Sequence, residues 1–238
     1  MNNLTVVFLH GWGTHPVIWA PLQTYFPNSY AMPLPGYSGS AMAQTLDEMS
    51  NSIAGQIPEK SVLAGWSLGA LVAMRIALIQ PEKVSRLVLI GATPCFVNRE
   101  DWPYGVADEV FEQFARNLAE DYSGTIRRFL TLQAQGSDAV RAVLAELRRR
   151  LLAQPRPAEG ALEAGLDILR GTDLRSEVAQ LPVPVTLIHG LGDKLAPVNA
   201  ARWLAQTIPD STLHEIRGAG HAPFLSHAEE VAEIMANG

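Results

Sequence analysis

The chain has 238 residues, 47% hydrophobic and 18% charged, with a net charge of −6. This suits one folded α/β-sized unit with a large core, and the negative total argues against nucleic acid as a partner. No stretch approaches the run of about 18 apolar residues that a membrane span needs, and the opening Met1-Asn2-Asn3-Leu4 lacks the basic region of a secretory signal, so a soluble cytoplasmic protein is expected. Cys95 is the only cysteine, which excludes an internal disulfide and a Cys-rich metal site and leaves it as a small buried hydrophobe.

Residues 4–9 form a short β-rich apolar run that ends in His10-Gly11-Trp12-Gly13, the pattern of a strand buried on both faces and closed by a glycine loop. A weak helical pattern at 19–25, a strand at 29–33 and the turn-forming Pro35-Gly36-Tyr37-Ser38-Gly39 follow. Leu46, Met49, Ile53 and Ile57 recur at helical spacing. Residues 61–64 read as a strand, 68–80 as a helix, and 84–90 as a strand closed by Gly91. The alternation predicts a mostly parallel sheet flanked by helices. From about 94 to 173 the rhythm changes: helical segments at 106–119, 123–133, 137–154 and 158–169 follow one another with no strand between them. This predicts an α/β core, residues 1–93 and 174–238, interrupted by an all-helical insertion at 94–173. Pro182 and Pro184 mark the return to a strand at 184–190, a helix at 198–208, a strand at 211–216 and a helix at 228–235.

The chemistry centres on Gly65-Trp66-Ser67-Leu68-Gly69, between a strand and a helix. A nucleophile elbow needs that context, because its strained turn lifts the central side chain above the sheet and leaves no room for side chains two positions away. A serine hydroxyl then needs a base, and the base needs an orienting group. Asp193 follows the strand at 184–190 through Gly190-Leu191-Gly192, and His221 follows the last strand through Gly218-Ala219-Gly220. Both loops fall at the carboxyl ends of strands, the rim where parallel sheets place their sites. Asp193 is the only carboxylate between Glu177 and Asp210, and Asp210 precedes the last strand at the opposite rim. His189 and His214 fall within strands and read as packed residues, while His227 is the alternative base. The developing oxyanion needs two donors, expected from the backbone N–H groups of Leu68 and Trp12. His10 reads as a pin for the Trp12 loop.

These motifs resemble the α/β-hydrolase fold family across essentially the whole chain. Closer still, the chain resembles the esterase family that acts on methyl esters of pimeloyl-[acyl-carrier protein] in biotin synthesis. The resemblance rests on residues 9–13 and 65–69, Pro94-Cys95-Phe96 with Asp101-Trp102-Pro103, residues 128–133, residues 165–169 with Asp173-Leu174-Arg175, and His221-Ala222-Pro223-Phe224. It implies a serine carboxylesterase without metal or organic cofactor, with Ser67, Asp193 and His221 as the triad. It further implies substrate contacts at Trp12, Ser67, Leu68, Phe129, Leu130, Thr131, Leu132, Gln133 and His221, and a helical lid at 94–173. A monomer docking an acyl-carrier protein through lid arginines is expected, with Arg128 and Arg141 matching the pattern and Gly124 and Ala145 departing from it. The chain opens almost directly on the His-Gly strand, so about six strands are expected instead of eight. Charge points the same way: residues 122–158 hold seven arginines against Asp138 and Glu146, a net of +5, which leaves −11 for the rest. A basic lid on an acidic body suits an acidic carrier protein.

Overall fold

The computed structural model describes residues 4–238. Six strands, β1 (Val6–Leu9), β2 (Ser29–Met32), β3 (Ser61–Trp66), β4 (Val84–Ile90), β5 (Val185–Gly190) and β6 (Ser211–Ile216), form one sheet in the order β2-β1-β3-β4-β5-β6. Every pairing is parallel, so the antiparallel contribution left open by the sequence is not present among the described residues. The interior strands β1, β3 and β5 are buried at every position, as continuous apolar runs require when both faces are covered. The edge strand β6 alternates and stays half exposed.

The helices of the α/β part are α1 (Ala20–Gln23) and α2 (Leu46–Ala54), then α3 (Leu68–Ile79). The insertion supplies α4 (Asp108–Glu120), α5 (Tyr122–Ala134), α6 (Val140–Leu151) and α7 (Ala161–Gly171), and α8 (Val198–Thr207), α9 (Pro223–Ser226) and α10 (Ala228–Asn237) complete the chain. Local chemistry sets several ends. Thr45 caps α2 by accepting from the Glu48 N–H at 3.1 Å, and the Glu48 carboxylate reaches back to the Gln44 N–H at 2.8 Å. The expected helix at 137–154 begins only at Val140, because the Ser137 hydroxyl takes the Ala139 N–H at 3.1 Å and holds a turn there. That at 158–169 begins at Ala161, after Gly160 turns with φ +80°. The one-turn α9 is too short for periodicity to reveal it.

Packing fixes the rim that carries the site. Helix α3 is apolar on every side apart from Arg75 and largely buried against the sheet. Beneath the rim, Trp19 stacks on Phe8 and Phe224 with ring centroids 4.9 and 4.4 Å apart, and Phe224 meets the Trp66 ring edge-on at 5.1 Å. The two ends of the helical insertion meet where the Leu174 N–H donates to the Pro94 carbonyl at 2.9 Å.

Candidate active site

Ser67 sits between β3 and α3 with φ +56° and ψ −118°, a conformation that an L-residue adopts only under strain. The elbow explains its two glycines. A Cβ on Gly65 would run into the Gly69 carbonyl, and one on Gly69 would run into the Leu9 carbonyl at the end of β1. Leu68 is the first residue of α3, so its N–H has no intrahelical partner and points out of the helix N-terminus.

Asp193 and His221 meet although they are 28 positions apart: His221 Nδ1 donates to Asp193 Oδ2 at 2.7 Å, with both residues buried. The other oxygen, Oδ1, accepts the Leu195 and Ala196 N–H groups, each at 2.9 Å. An ionised carboxylate can only accept, so the proton of neutral His221 lies on Nδ1 and the Nε2 lone pair is left free to take a proton. Nε2 is buried and forms no hydrogen bond among the described residues. His221 lines the same cavity as Ser67, and no hydrogen bond closes between the two in this conformation. The Trp66 indole N–H, at 2.8 Å from the His221 carbonyl, ties the histidine loop to the elbow strand.

A second imidazole bears on the same carboxylate. His189, the penultimate residue of β5, donates from Nε2 to the Ala196 carbonyl at 2.7 Å and lies 3.3 Å from Asp193 Oδ2. The sequence placed it as a packed strand residue, and it is fully buried, but it also stands beside the Asp193 carboxylate. Its position four residues before Asp193, at a strand's carboxyl end, was the available signal. Burial alone would raise the Asp193 carboxyl, yet His221 and His189 outweigh burial and hold it below the usual carboxylate range. For His189, burial pulls the imidazole pKa down, Asp193 pulls it up, and the net displacement is upward.

The loop after β1 holds the other candidate donor. The Trp12 N–H is not taken by any backbone acceptor among the described residues, and the Trp12 indole N–H anchors the loop to α7 through the Leu162 carbonyl at 2.8 Å. His10 behaves as a pin: its Nε2 accepts the Leu34 N–H at 3.1 Å, which leaves Nδ1 to donate to the Gly11 carbonyl at 2.9 Å. Complete burial, with the Gly11 bond opposing, lowers its pKa from 6.5 to about 3, so it is neutral near pH 7.

The cavity above Ser67 is about 60 Å³ and almost wholly apolar. Trp12, Phe96, Phe111, Phe114, Leu166 and Leu169 line it along with Ser67 and His221. Of the stretch 129–133, only Phe129 and Gln133 face this space. Leu130 points into the core, and Thr131 and Leu132 line an outer groove between α4 and α5, so the structure sets the five expected contacts on different surfaces. The reason is the helical period: residues four apart share a face, and the three between them turn away. The α4 wall, Phe111 and Phe114, was missed; its i, i+3 aromatic spacing was the legible signal.

The other candidates fall elsewhere. His227 bonds to the Ser226 hydroxyl at 2.7 Å at the surface, His214 is half-buried on β6, and the Cys95 thiol is buried beside Trp102 and donates to the Val97 carbonyl at 3.2 Å. Arg128 and Arg141 are exposed on α5 and α6, without an ion pair among the described residues, whereas Arg149 and Arg150 are tied to Glu146. Gly124 has a structural reason to depart from arginine, since a Cβ there would run into the Asp121 carboxylate that caps α5.

The turn between α5 and α6 presses directly on the loops of Asp193 and His221. A Cβ on Gly136 would collide with the Gly192 carbonyl, and one on Gly220 with the Gln135 carbonyl. The Asp138 N–H donates to the Gly218 carbonyl at 2.9 Å.

A model described as the alpha/beta hydrolase family matches residues 6–234. The chain belongs to the alpha/beta hydrolase family. Within it, the chain is 43% identical over 234 residues to a pimeloyl-[acyl-carrier protein] methyl ester esterase of Nitrosomonas europaea, covering 96% of this chain and 93% of the relative. It is 44% identical over 246 residues to the protein of that name from Aromatoleum aromaticum, covering 99% and 98%. Among solved alpha/beta hydrolase structures, an esterase from Exiguobacterium antarcticum superposes with a TM-score of 0.86 over 98% of this chain and 90% of the other, at 22% identity, a likeness of fold.

Proposed function

We propose that the chain is a serine carboxylesterase that hydrolyses the methyl ester of pimeloyl-[acyl-carrier protein], releasing methanol and the free acid on its carrier. The observation that carries the chemistry is the Asp193–His221 bond of 2.7 Å, which leaves Nε2 of His221 without a partner among the described residues, in a residue that lines one cavity with Ser67. The substrate rests on the near full-length similarity to esterases of that name. Ser67 Oγ attacks the ester carbonyl while Nε2 takes its proton, and Asp193 steadies the imidazolium. The tetrahedral oxyanion takes the Leu68 and Trp12 N–H groups. His221 then returns the proton to the departing methoxide, and a water activated by the same nitrogen cleaves the acyl-enzyme. No step draws on a metal or an organic cofactor.

Residues 94–173 act as the lid. A space of about 60 Å³ holds only a few heavy atoms, so the acyl chain enters when α4 and α5 separate. Burial against Phe114 and Phe129 then contributes about 0.8 kcal/mol per CH₂, enough to favour a medium chain but a poor judge of neighbouring lengths. Arg128 and Arg141 form the docking face for the carrier protein, and the enzyme works as a monomer. The small cavity favours one competing reading, hydrolysis of short free esters. Comparing kcat/KM for the carrier-bound methyl ester and for a short free ester separates them. A higher value on the free ester refutes the carrier-bound assignment, and activity surviving Ser67→Ala removes Ser67 as nucleophile.

A further inference from the structure

A second cleft, about 280 Å³, is lined from Gly13 onward, next in sequence to Trp12 of the catalytic cavity. Gly13, Tyr37 and His15 come from the α/β part, Ser123 and Arg127 from α5, and Arg156 from the segment after α6. Two fully charged side chains line it, both arginines, and no carboxylate does; Glu159 and Glu163 line the adjoining hollow that shares Arg156. The Arg127 guanidinium has no ion pair or hydrogen bond among the described residues. Arg156 lies over the Tyr122 ring at 4.4 Å and reaches the Ser123 hydroxyl at 3.4 Å, so its fork is held in place without being neutralised. His15 is not a third cation. Its Nδ1 accepts the Val17 N–H at 3.3 Å, its Nε2 faces the Ser38 hydroxyl at 3.0 Å, and burial lowers its pKa.

Two cations lining one cleft that holds no carboxylate suit an anionic ligand with several acceptor oxygens. The cleft ends at Gly13, next to the residue that carries the oxyanion donor, and a Cβ at Gly13 would touch Phe129 of the catalytic cavity at 3.5 Å. We propose that this cleft seats the phosphodiester through which a carrier protein bears its acyl thioester arm, gripped by Arg127 and Arg156. The site rests on the carrier-bound reading above and is distinct from the Arg128 and Arg141 face, which would meet the carrier protein itself. An arm held there presses on the loop that presents Trp12, so a seated substrate and a formed oxyanion site reinforce each other.

The test uses the full chain and three substrates: the carrier-bound methyl ester, and the arm's acyl thioester methyl ester with and without its terminal phosphate. Removing the phosphate from the free arm lowers wild-type kcat/KM by about tenfold or more, the range of a charge-assisted contact. Arg127→Gln and Arg156→Gln each lower kcat/KM on the phosphorylated arm and on the carrier-bound ester to a similar degree. Neither changes turnover of the unphosphorylated arm, and in the double variant the phosphate no longer matters. Arg128→Gln leaves the free arm untouched and affects only the carrier-bound ester. Equal losses on all three substrates would mean a structural role and overturn the proposal, as would a phosphate preference that survives in the double variant. Inhibition by inorganic phosphate with no phosphate preference among substrates overturns it in favour of a free-anion site. Failure of wild type to turn over any arm-linked ester, with short free esters still cleaved, instead refutes the carrier-bound reading and this site with it.

Discussion

Asp193→Asn tests the proposed relay most sharply, because the side chain is clamped on both sides. The amide that replaces the carboxylate has one acceptor and one donor end. Turned with its oxygen toward His221, it would face its NH₂ against the Leu195 and Ala196 N–H groups, each now 2.9 Å from Oδ1. Two orphaned buried donors cost about 1–3 kcal/mol each. Turned the other way, it keeps both backbone bonds and presents NH₂ to His221 Nδ1, which must then accept. The second arrangement wins, since a neutral imidazole changes tautomer more cheaply than two amides lose their acceptor. His189 hardly opposes it, because its Nε2 hydrogen already has the Ala196 carbonyl at 2.7 Å. The proton then sits on His221 Nε2, where it cannot receive one from Ser67. In serine proteases a wrong tautomer of this kind lowers kcat by about 10⁴, or roughly 5 kcal/mol of barrier. The assay is hydrolysis of a short free ester at pH 7, with thermal unfolding to confirm that the fold is retained. A folded Asp193→Asn protein within tenfold of wild-type kcat would refute the relay.

Three other outcomes follow from the same geometry. Ser67→Gly abolishes ester hydrolysis yet stabilises the fold by about 1 kcal/mol, because glycine adopts the φ of +56° without strain; urea midpoints at equal m-value check it. The neutral, buried His10 makes stability fall with acid: unfolded chains take up a proton below about pH 6.5 while the folded one resists until about pH 3. This removes on the order of 4–5 kcal/mol across that window, and the wild-type loss between pH 7 and pH 4 should exceed that of His10→Gln in denaturant titrations. His189→Leu, which leaves Asp193 Oδ2 with one imidazole instead of two, should lower kcat about tenfold with little change in KM, and His189→Gln should recover part of that loss; an unaffected kcat in His189→Leu would reduce the residue to packing.

The sheet was legible because burial on both faces leaves near-continuous apolar runs such as Val6–Leu9 and Val185–Gly190. The elbow was legible because its backbone tolerates only glycine at 65 and 69. Less accessible was anything that depends on helix phase against a neighbour. Residues 129–133 read as one contact stretch, but which of them face Ser67 is set by how α5 lies on α4 and α6, and no single helix records that. The same holds for Arg127 and Arg128, adjacent in sequence yet lining a cleft and a groove on different sides of α5. His189 was misjudged in weight because strand alternation says that a residue is buried and not what it is buried against.

The glycine-to-glycine seam between the α5–α6 turn and the loops of Asp193 and His221 carries a consequence for engineering. At Gly136, Gly192 and Gly220 main chain lies on main chain with no side chain as padding. A displacement of this hairpin is therefore passed undamped to the acid and the base. Grafting a foreign cover onto this scaffold to change its substrate range would succeed or fail at three residues that do not themselves line the cavity, and a transplant that omitted them would yield a protein that binds well and turns over poorly.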